Sequence, residues 1–212
     1  MISNTIVSKI NKLEDQTYLI SALRKEELDT LAELVVNEYD EYGEVDMIVI
    51  CKENSLRSQL GQLWIQSIAQ NYNLDFLNVY SGGTEVTSFN SNMVKELSNY
   101  GFTIEKLNDI ENPGYLISQS EDDKSTDVMF SKLYDDEFNP EFDFIALICC
   151  SEADKNCPVI EECSHRLYMP YDSVKKFENT DQQKEKYTSI IEEIGREMMY
   201  MIKKVVELQE HL

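Results

Sequence analysis

The sequence predicts an α/β fold in which a parallel sheet is sandwiched between helices. Three observations carry this. Short, nearly continuous apolar runs of strand length recur, as in strands buried on both faces. They alternate with longer segments whose apolar residues repeat at helical spacing, and that alternation implies parallel crossovers. The chain has 212 residues, 42% hydrophobic and 28% charged. That suits one large domain of this class, or a domain of roughly 150 residues with an appendage.

Residues 1–44 read as an acidic helical extension. A short helix is expected from Ile6 to Leu13, and a longer one where Leu28, Leu31, Ala32, Val35 and Tyr39 recur at helical spacing. Such a pair packs on the main domain or makes a homodimer contact, so the expected state is a monomer or a homodimer through these helices. Residues 45–212 form the main domain. Its first strand is the apolar run Asp46 to Cys51, followed by a helix from Ser55 to about Asn71 that turns Leu60, Leu63, Trp64 and Ile68 to one face. That spacing places Trp64 in the core. Leu74 to Tyr80 is a second strand, closed by Ser81-Gly82-Gly83, and Asn90 to Tyr100 a helix ending at Gly101. Gly114 to Ser118 and Phe142 to Cys149 are the third and fourth strand candidates. A final helix runs from about Asp181 to Leu208, with a stripe of Ile191, Ile194, Met198, Met201, Val205 and Leu208. The polar stretch Ser120 to Asp136 reads as an exposed excursion.

Charge and cysteine usage bound the function. There are 40 acidic residues against 19 basic ones, a net charge of −21. The mean field repels nucleic acid and anionic membrane surfaces, so neither is an expected partner. No apolar run approaches the ~20 residues of a membrane span. The N-terminus shows no apolar h-region, which makes the cytoplasm the expected compartment. The five cysteines, Cys51, Cys149, Cys150, Cys157 and Cys163, are therefore expected as thiols.

Cys51 closes the first strand, and Lys52-Glu53-Asn54-Ser55-Leu56-Arg57-Ser58 leads into the helix. A loop from a parallel strand to a helix N-terminus aims several backbone N–H groups at one spot, and with the helix dipole these make an anion site. A cysteine beside that positive end has its pKa lowered and becomes a nucleophile. Arg57 can grip two oxygens of a tetrahedral oxyanion, a fork that lysine does not supply. Ser58 can hydrogen-bond the thiolate, while Asn54 and Ser55 hold the loop. The alternative is a structural cysteine at a strand end with an ordinary surface arginine.

Cys149-Cys150-Ser151-Glu152-Ala153-Asp154-Lys155-Asn156-Cys157-Pro158 follows the fourth strand. Strand ends converge on one rim of an α/β sheet, so this segment can approach Cys51. Cys150 and Cys157 are about 10.5 Å apart along a straight helix, too far for a disulfide, so a bond between them needs the segment to loop or unwind. Zinc is disfavoured, because no C-x-x-C pair is present and His165 is the only nearby histidine; no metal is expected. Cys149 is expected to face the core. Cys163 and His165 are expected on a surface loop.

Together these residues resemble the low-molecular-weight tyrosine phosphatase superfamily, and within it the thioredoxin-coupled arsenate reductases. The family loop Cys-x-x-Asn-Ser-x-Arg-Ser-Gln is matched by Cys51, Asn54, Ser55, Arg57, Ser58 and Gln59. Ser81-Gly82-Gly83-Thr84 resembles its Ser-Ala-Gly-Thr segment, and Cys150 to Pro158 its Cys-Ser-x-Ala-Asp-x-Asn-Cys-Pro segment. The resemblance covers residues 46 to 205, about the main domain. It implies a three-layer α/β/α sandwich with a central four-stranded parallel sheet, to which the N-terminal helices are added. It also implies that Lys52, Glu53, Asn54, Ser55, Leu56, Arg57 and Ser58 hold arsenate or phosphate while Cys51 attacks it. Cys150 would then attack the Cys51–arsenic adduct and release arsenite. Cys157 would attack Cys150, leaving a disulfide for a thioredoxin-type reductant, with no bound cofactor.

Three positions depart from the family pattern. The family's general acid, an Asp before Pro on a late loop, aligns with Ser173, and Asp172 stands one residue early. Serine cannot protonate a leaving group at neutral pH, so Asp172, or failing it Glu178, is the candidate acid. Glu53 adds a carboxylate to an anion-binding loop, and Leu56 stands where many reductases carry another cysteine. Three readings follow: an arsenate reductase-like enzyme, a hydrolase of phosphotyrosine or another phosphomonoester, and a phosphate-binding relative without turnover. Ser173 favours the last, and the paired downstream cysteines favour the first.

Overall fold

A computed structural model describes residues 4–119, 128–149, 160 and 162–210. Two helices open the chain, α1 (Asn4–Asp15) and α2 (Ala22–Tyr42). Strand β1 (Val45–Cys51), helix α3 (Arg57–Asn71), strand β2 (Leu77–Gly83) and helix α4 (Ser91–Tyr100) follow. Three short strands, β3 (Thr103–Lys106), β4 (Tyr115–Ser118) and β5 (Val128–Met129), precede β6 (Phe144–Ile148) and β7 (Cys163–Tyr168). Helix α5 (Gln183–Glu210) ends the fold. No described helix is long and apolar enough to cross a membrane.

The central sheet is four-stranded and parallel, in the order β2-β1-β6-β7. This is the α/β fold that the sequence predicts. Strand alternation divides its side chains between two cores. Met47, Val49, Cys51, Ile145, Leu147 and Cys149 share the larger core with residues of all five described helices. Ile48, Ile50, Phe144, Ala146 and Ile148 form the smaller one on the opposite face, with Ile160. Chain direction explains the layering. The β1-to-β2 and β6-to-β7 connections step in opposite directions along the sheet, so right-handed crossovers place them on opposite faces. Helix α3 lies on the larger core, and Ile160, from the β6-to-β7 connection, is buried in the smaller one.

The N-terminal helices pack on the rest of the chain. Ser21 caps α2 by accepting from the Arg24 N–H at 3.2 Å, and Gly43 ends the helix in the left-handed region. Ile6, Ile10 and Leu13 of α1, with Leu28, Leu31 and Val35 of α2, are buried in the core that α5 also enters. One close fit is at Gly195 on α5. An added Cβ there would stand 2.7 Å from Trp64 Cε2 and 2.8 Å from Leu13 Cδ1. Trp64 is fully buried, as its spacing predicts, and its Nε1 donates to the Ile191 carbonyl at 2.9 Å. Gly195→Ala should therefore lower the thermal midpoint. Overpacking costs about 1–3 kcal/mol, against roughly 1 kcal/mol of helix propensity gained. An unchanged or higher midpoint would contradict this packing.

The structure corrects four sequence expectations. The segment at 115–118 is not a strand of the main sheet; it joins the small antiparallel sheet β3-β4-β5. The fourth main strand is instead β7, so Cys163 and His165 stand on an edge strand and not on a surface loop. Its polar sequence Cys-Ser-His-Arg-Leu-Tyr lacks the apolar run of a central strand, because one side of an edge strand has no neighbour. Strand β2 continues through Gly82 and Gly83 and does not stop before them. A Cβ on Gly83 would meet Asn54 N at 2.8 Å and Lys52 O at 2.9 Å, so this glycine serves close approach of the anion-binding loop. Finally, the excursion is not wholly exposed: Met129, Ser131 and Lys132 are buried, the last two against that loop.

Candidate active site

Cys51 ends β1 and Arg57 begins α3, so the intervening loop stands at the C-terminal rim of the sheet. Its shape depends on Asn54, which takes a positive φ of 45° and is fully buried. Asparagine tolerates this region better than most residues. The Asn54 Oδ1 accepts from Lys132 N at 2.9 Å and from Gln59 Nε2 at 3.2 Å, and Gln59 Nε2 also donates to the Phe130 carbonyl at 2.8 Å. From the other side, the N–H groups of Thr84 and Glu85 donate to the Lys52 carbonyl, and the Ser131 hydroxyl to the Glu53 carbonyl. The segments after β2 and β5 thus clamp the loop.

Asn54 also organises the nucleophile. Its Nδ2 donates to Ser58 Oγ at 2.9 Å, and Ser58 Oγ lies 3.0 Å from Cys51 Sγ. With the Asn54 amide on the serine oxygen, the serine proton is free to go to sulfur. The Cys51 thiol is held well below its ordinary pKa. The neighbouring Cys149 thiol contributes most; burial opposes it, and the Ser58 hydroxyl, the Ser58 backbone N–H and the Arg57 charge add to the lowering. The balance favours the thiolate.

Above the sulfur is a pocket of about 300 Å³. Cys51, Lys52, Glu53, Ser55, Leu56 and Arg57 line it from the loop, and Tyr171, Asp172, Ser173 and Lys175 from the segment after β7. Arg57 Nη1 donates to the Tyr171 carbonyl at 3.0 Å, which ties the two walls together. Of the seven expected oxyanion-binding residues, Asn54 and Ser58 do not line the pocket; both are fully buried and support the loop from behind.

No family model matches the chain. A curated arsenate reductase from Halalkalibacterium halodurans is 26% identical over 148 residues, 69% of this chain and 87% of that protein. Another, from Bacillus licheniformis, is 28% identical over 135 residues, 64% of this chain and 78% of that protein. The chain is thus similar, at modest identity, to curated arsenate reductases. A solved low-molecular-weight phosphotyrosine phosphatase from Vibrio cholerae aligns with a TM-score of 0.49 and 13% identity, covering 79% of this chain and 98% of that one.

The remaining residues of that resemblance fall into three groups. Asp172 and Ser173 both border the pocket, so the aspartate expected one residue early is among its lining residues. Glu178 is committed elsewhere: it accepts from Asn90 Nδ2 and the Tyr187 hydroxyl, each at 2.7 Å, which anchors α4 to α5. Cys150 and Cys157 lie outside the described residues. Glu53 does border the pocket, but Lys175 pairs with its carboxylate and the Ser55 hydroxyl donates to it at 3.3 Å. Burial raises the Glu53 pKa, and these partners outweigh it, leaving the net shift downward. Lys52 adds to the lowering through its charge and lies 3.9 Å from the Glu85 carboxylate.

One contribution has no sequence signal. Arg24, from the N-terminal helices, donates to the Pro170 carbonyl at 2.8 Å, lies 3.4 Å from the buried Glu197 carboxylate, and sits over the Tyr171 ring. The Tyr171 hydroxyl donates to the same Glu197 at 2.7 Å. The extension therefore supports the wall that carries Asp172 and meets Arg57.

Proposed function

We propose that this protein is an arsenate reductase-like enzyme that converts arsenate to arsenite through a Cys51 thiolate. The observation that carries the reading is the placement of a thiol with a lowered pKa on the wall of a small pocket between Arg57 and the Asp172 segment. The two curated arsenate reductases and the Cys150-to-Pro158 motif favour reduction over hydrolysis. In this reading the thiolate attacks arsenic and displaces a protonated oxygen as water. Cys150 attacks the Cys51 sulfur, and the S–As electron pair stays on arsenic, giving arsenite. Cys157 then attacks Cys150 and regenerates Cys51. A thioredoxin-type protein reduces the Cys150–Cys157 disulfide.

The test is a single turnover. Free thiols are titrated before and after stoichiometric arsenate, with arsenite measured alongside. Loss of two thiols per arsenite, abolished by Cys150→Ser, is the expected result. No thiol loss, with or without phosphate binding, would overturn the reading.

Asp172 on the pocket wall favours a second reading, phosphomonoester hydrolysis with Asp172 as general acid. Under it, Asp172→Asn should slow p-nitrophenyl phosphate turnover by about 10²–10⁴-fold. A loss smaller than about tenfold would remove Asp172 from that role.

A further inference from the structure

Cys149 has no place in the relay above, yet among the described residues the fold sets this thiol beside the nucleophile. Strands β1 and β6 pair in parallel up to Ile50 and Ile148, and Cys51 and Cys149 are the next residues on each. The ladder carries on at this point, with Cys149 N donating to the Ile50 carbonyl at 2.8 Å. Both side chains point into the larger core, as alternation from Val49 and Leu147 requires. The Cys149 thiol donates to the Ile50 carbonyl oxygen at 3.1 Å, which holds its sulfur beside the end of β1. Neighbouring strands run about 4.8 Å apart, inside the roughly 4.4–6.8 Å Cα window of a disulfide.

Access to the two sulfurs differs. Cys51 borders the pocket, whereas Cys149 is fully buried and does not. Of these two thiols, a small solute entering the pocket meets Cys51.

We infer that Cys51 and Cys149 form a reversible disulfide when the protein meets a hydroperoxide, with Cys149 as the resolving thiol that protects the nucleophile from irreversible oxidation. In the first step the Cys51 thiolate attacks one peroxide oxygen. The O–O bond breaks and the second oxygen leaves as hydroxide, which takes a proton to become water. Cys51 is then a sulfenic acid. In the second step the Cys149 sulfur attacks the Cys51 sulfur, and the S–O bond breaks. The leaving hydroxide takes the Cys149 proton and departs as a second water. One peroxide is reduced by two electrons and two thiols are oxidised. With its sulfur bonded to Cys149, Cys51 cannot attack an oxyanion, so the pocket is switched off until a dithiol reductant restores it.

The experiment uses hydrogen peroxide on the full chain with no arsenate present, so its outcome is separate from that of the reductase reading. Peptides are mapped by mass spectrometry without reduction. The expected result is a Cys51–Cys149 cross-link in the native protein and in Cys150→Ser, with Cys51 alkylation recovered fully by dithiothreitol. In Cys149→Ala, Cys51 should instead progress to sulfinic acid, which dithiothreitol does not reverse. A native-protein map showing Cys51 joined to Cys150 or Cys157, or converted to sulfinic acid without a cross-link, would overturn the inference. That map decides the matter even if Cys149→Ala folds poorly.

Discussion

Cys51→Ser should abolish arsenate-dependent thiol loss, a fall on the order of 10⁶-fold where a covalent adduct is obligatory. The loop that favours a thiolate cannot ionise a serine hydroxyl, whose intrinsic acidity is far lower. The fold should survive. Cys51 is only 2% exposed, serine is slightly smaller, and Ser58 at 3.0 Å remains a hydrogen-bond partner. Anion binding should survive as well, or tighten, because the thiolate's own negative charge is removed from beside the oxyanion. Calorimetric titration with phosphate, together with the single-turnover assay, separates binding from chemistry. Loss of both would mean that the substitution had damaged the loop and not merely the nucleophile.

Arg57→Lys should be the second most damaging change, costing about 10²–10³-fold, the usual loss for one donor to a developing oxyanion. Lysine keeps the charge but not the planar fork that engages two oxygens. It also loses the 3.0 Å bond from Arg57 Nη1 to the Tyr171 carbonyl, and with it the tie to the wall carrying Asp172. Charge contributes to the lowered Cys51 pKa only after the Cys149 thiol and Ser58. The variant should therefore lose turnover while Cys51 stays easy to alkylate at neutral pH. A variant with native turnover would show that charge alone suffices at this position.

How much of this was legible in the sequence follows the range of the interactions. The stretch Cys51 to Ser58 was readable because its chemistry is local: a buried strand, a short loop and a helix start are consecutive in the chain. Trp64 was readable through helical spacing. Strand β7 was not, because an edge strand with Ser164, His165 and Arg166 shows no apolar run. Ser131 and Lys132 were missed because they hold the loop through contacts with Glu53 and Asn54, 78 residues away, which leave no pattern at either site. Arg24 reaches Pro170 across 146 residues in the same way. Gly82 and Gly83 were misread as a stop, since composition alone does not separate a turn from a close approach. Cys149 did leave a signal: like Cys51, it closes an apolar strand run, and two such ends meet when the strands are neighbours.

The pH dependence of Cys51 alkylation tests the central claim, that this loop makes Cys51 an anion, more directly than any activity. A lowered pKa means the thiolate fraction rises with pH through that lowered value and is already level in the ordinary thiol range. Iodoacetamide is applied at a series of pH values, and modification is read at the Cys51 peptide. Half-maximal rate well below pH ~8.5, the ordinary value for a free thiol, is the result this structure predicts. A half-maximal rate at or above that value would contradict it, and with it both enzymatic readings of the site.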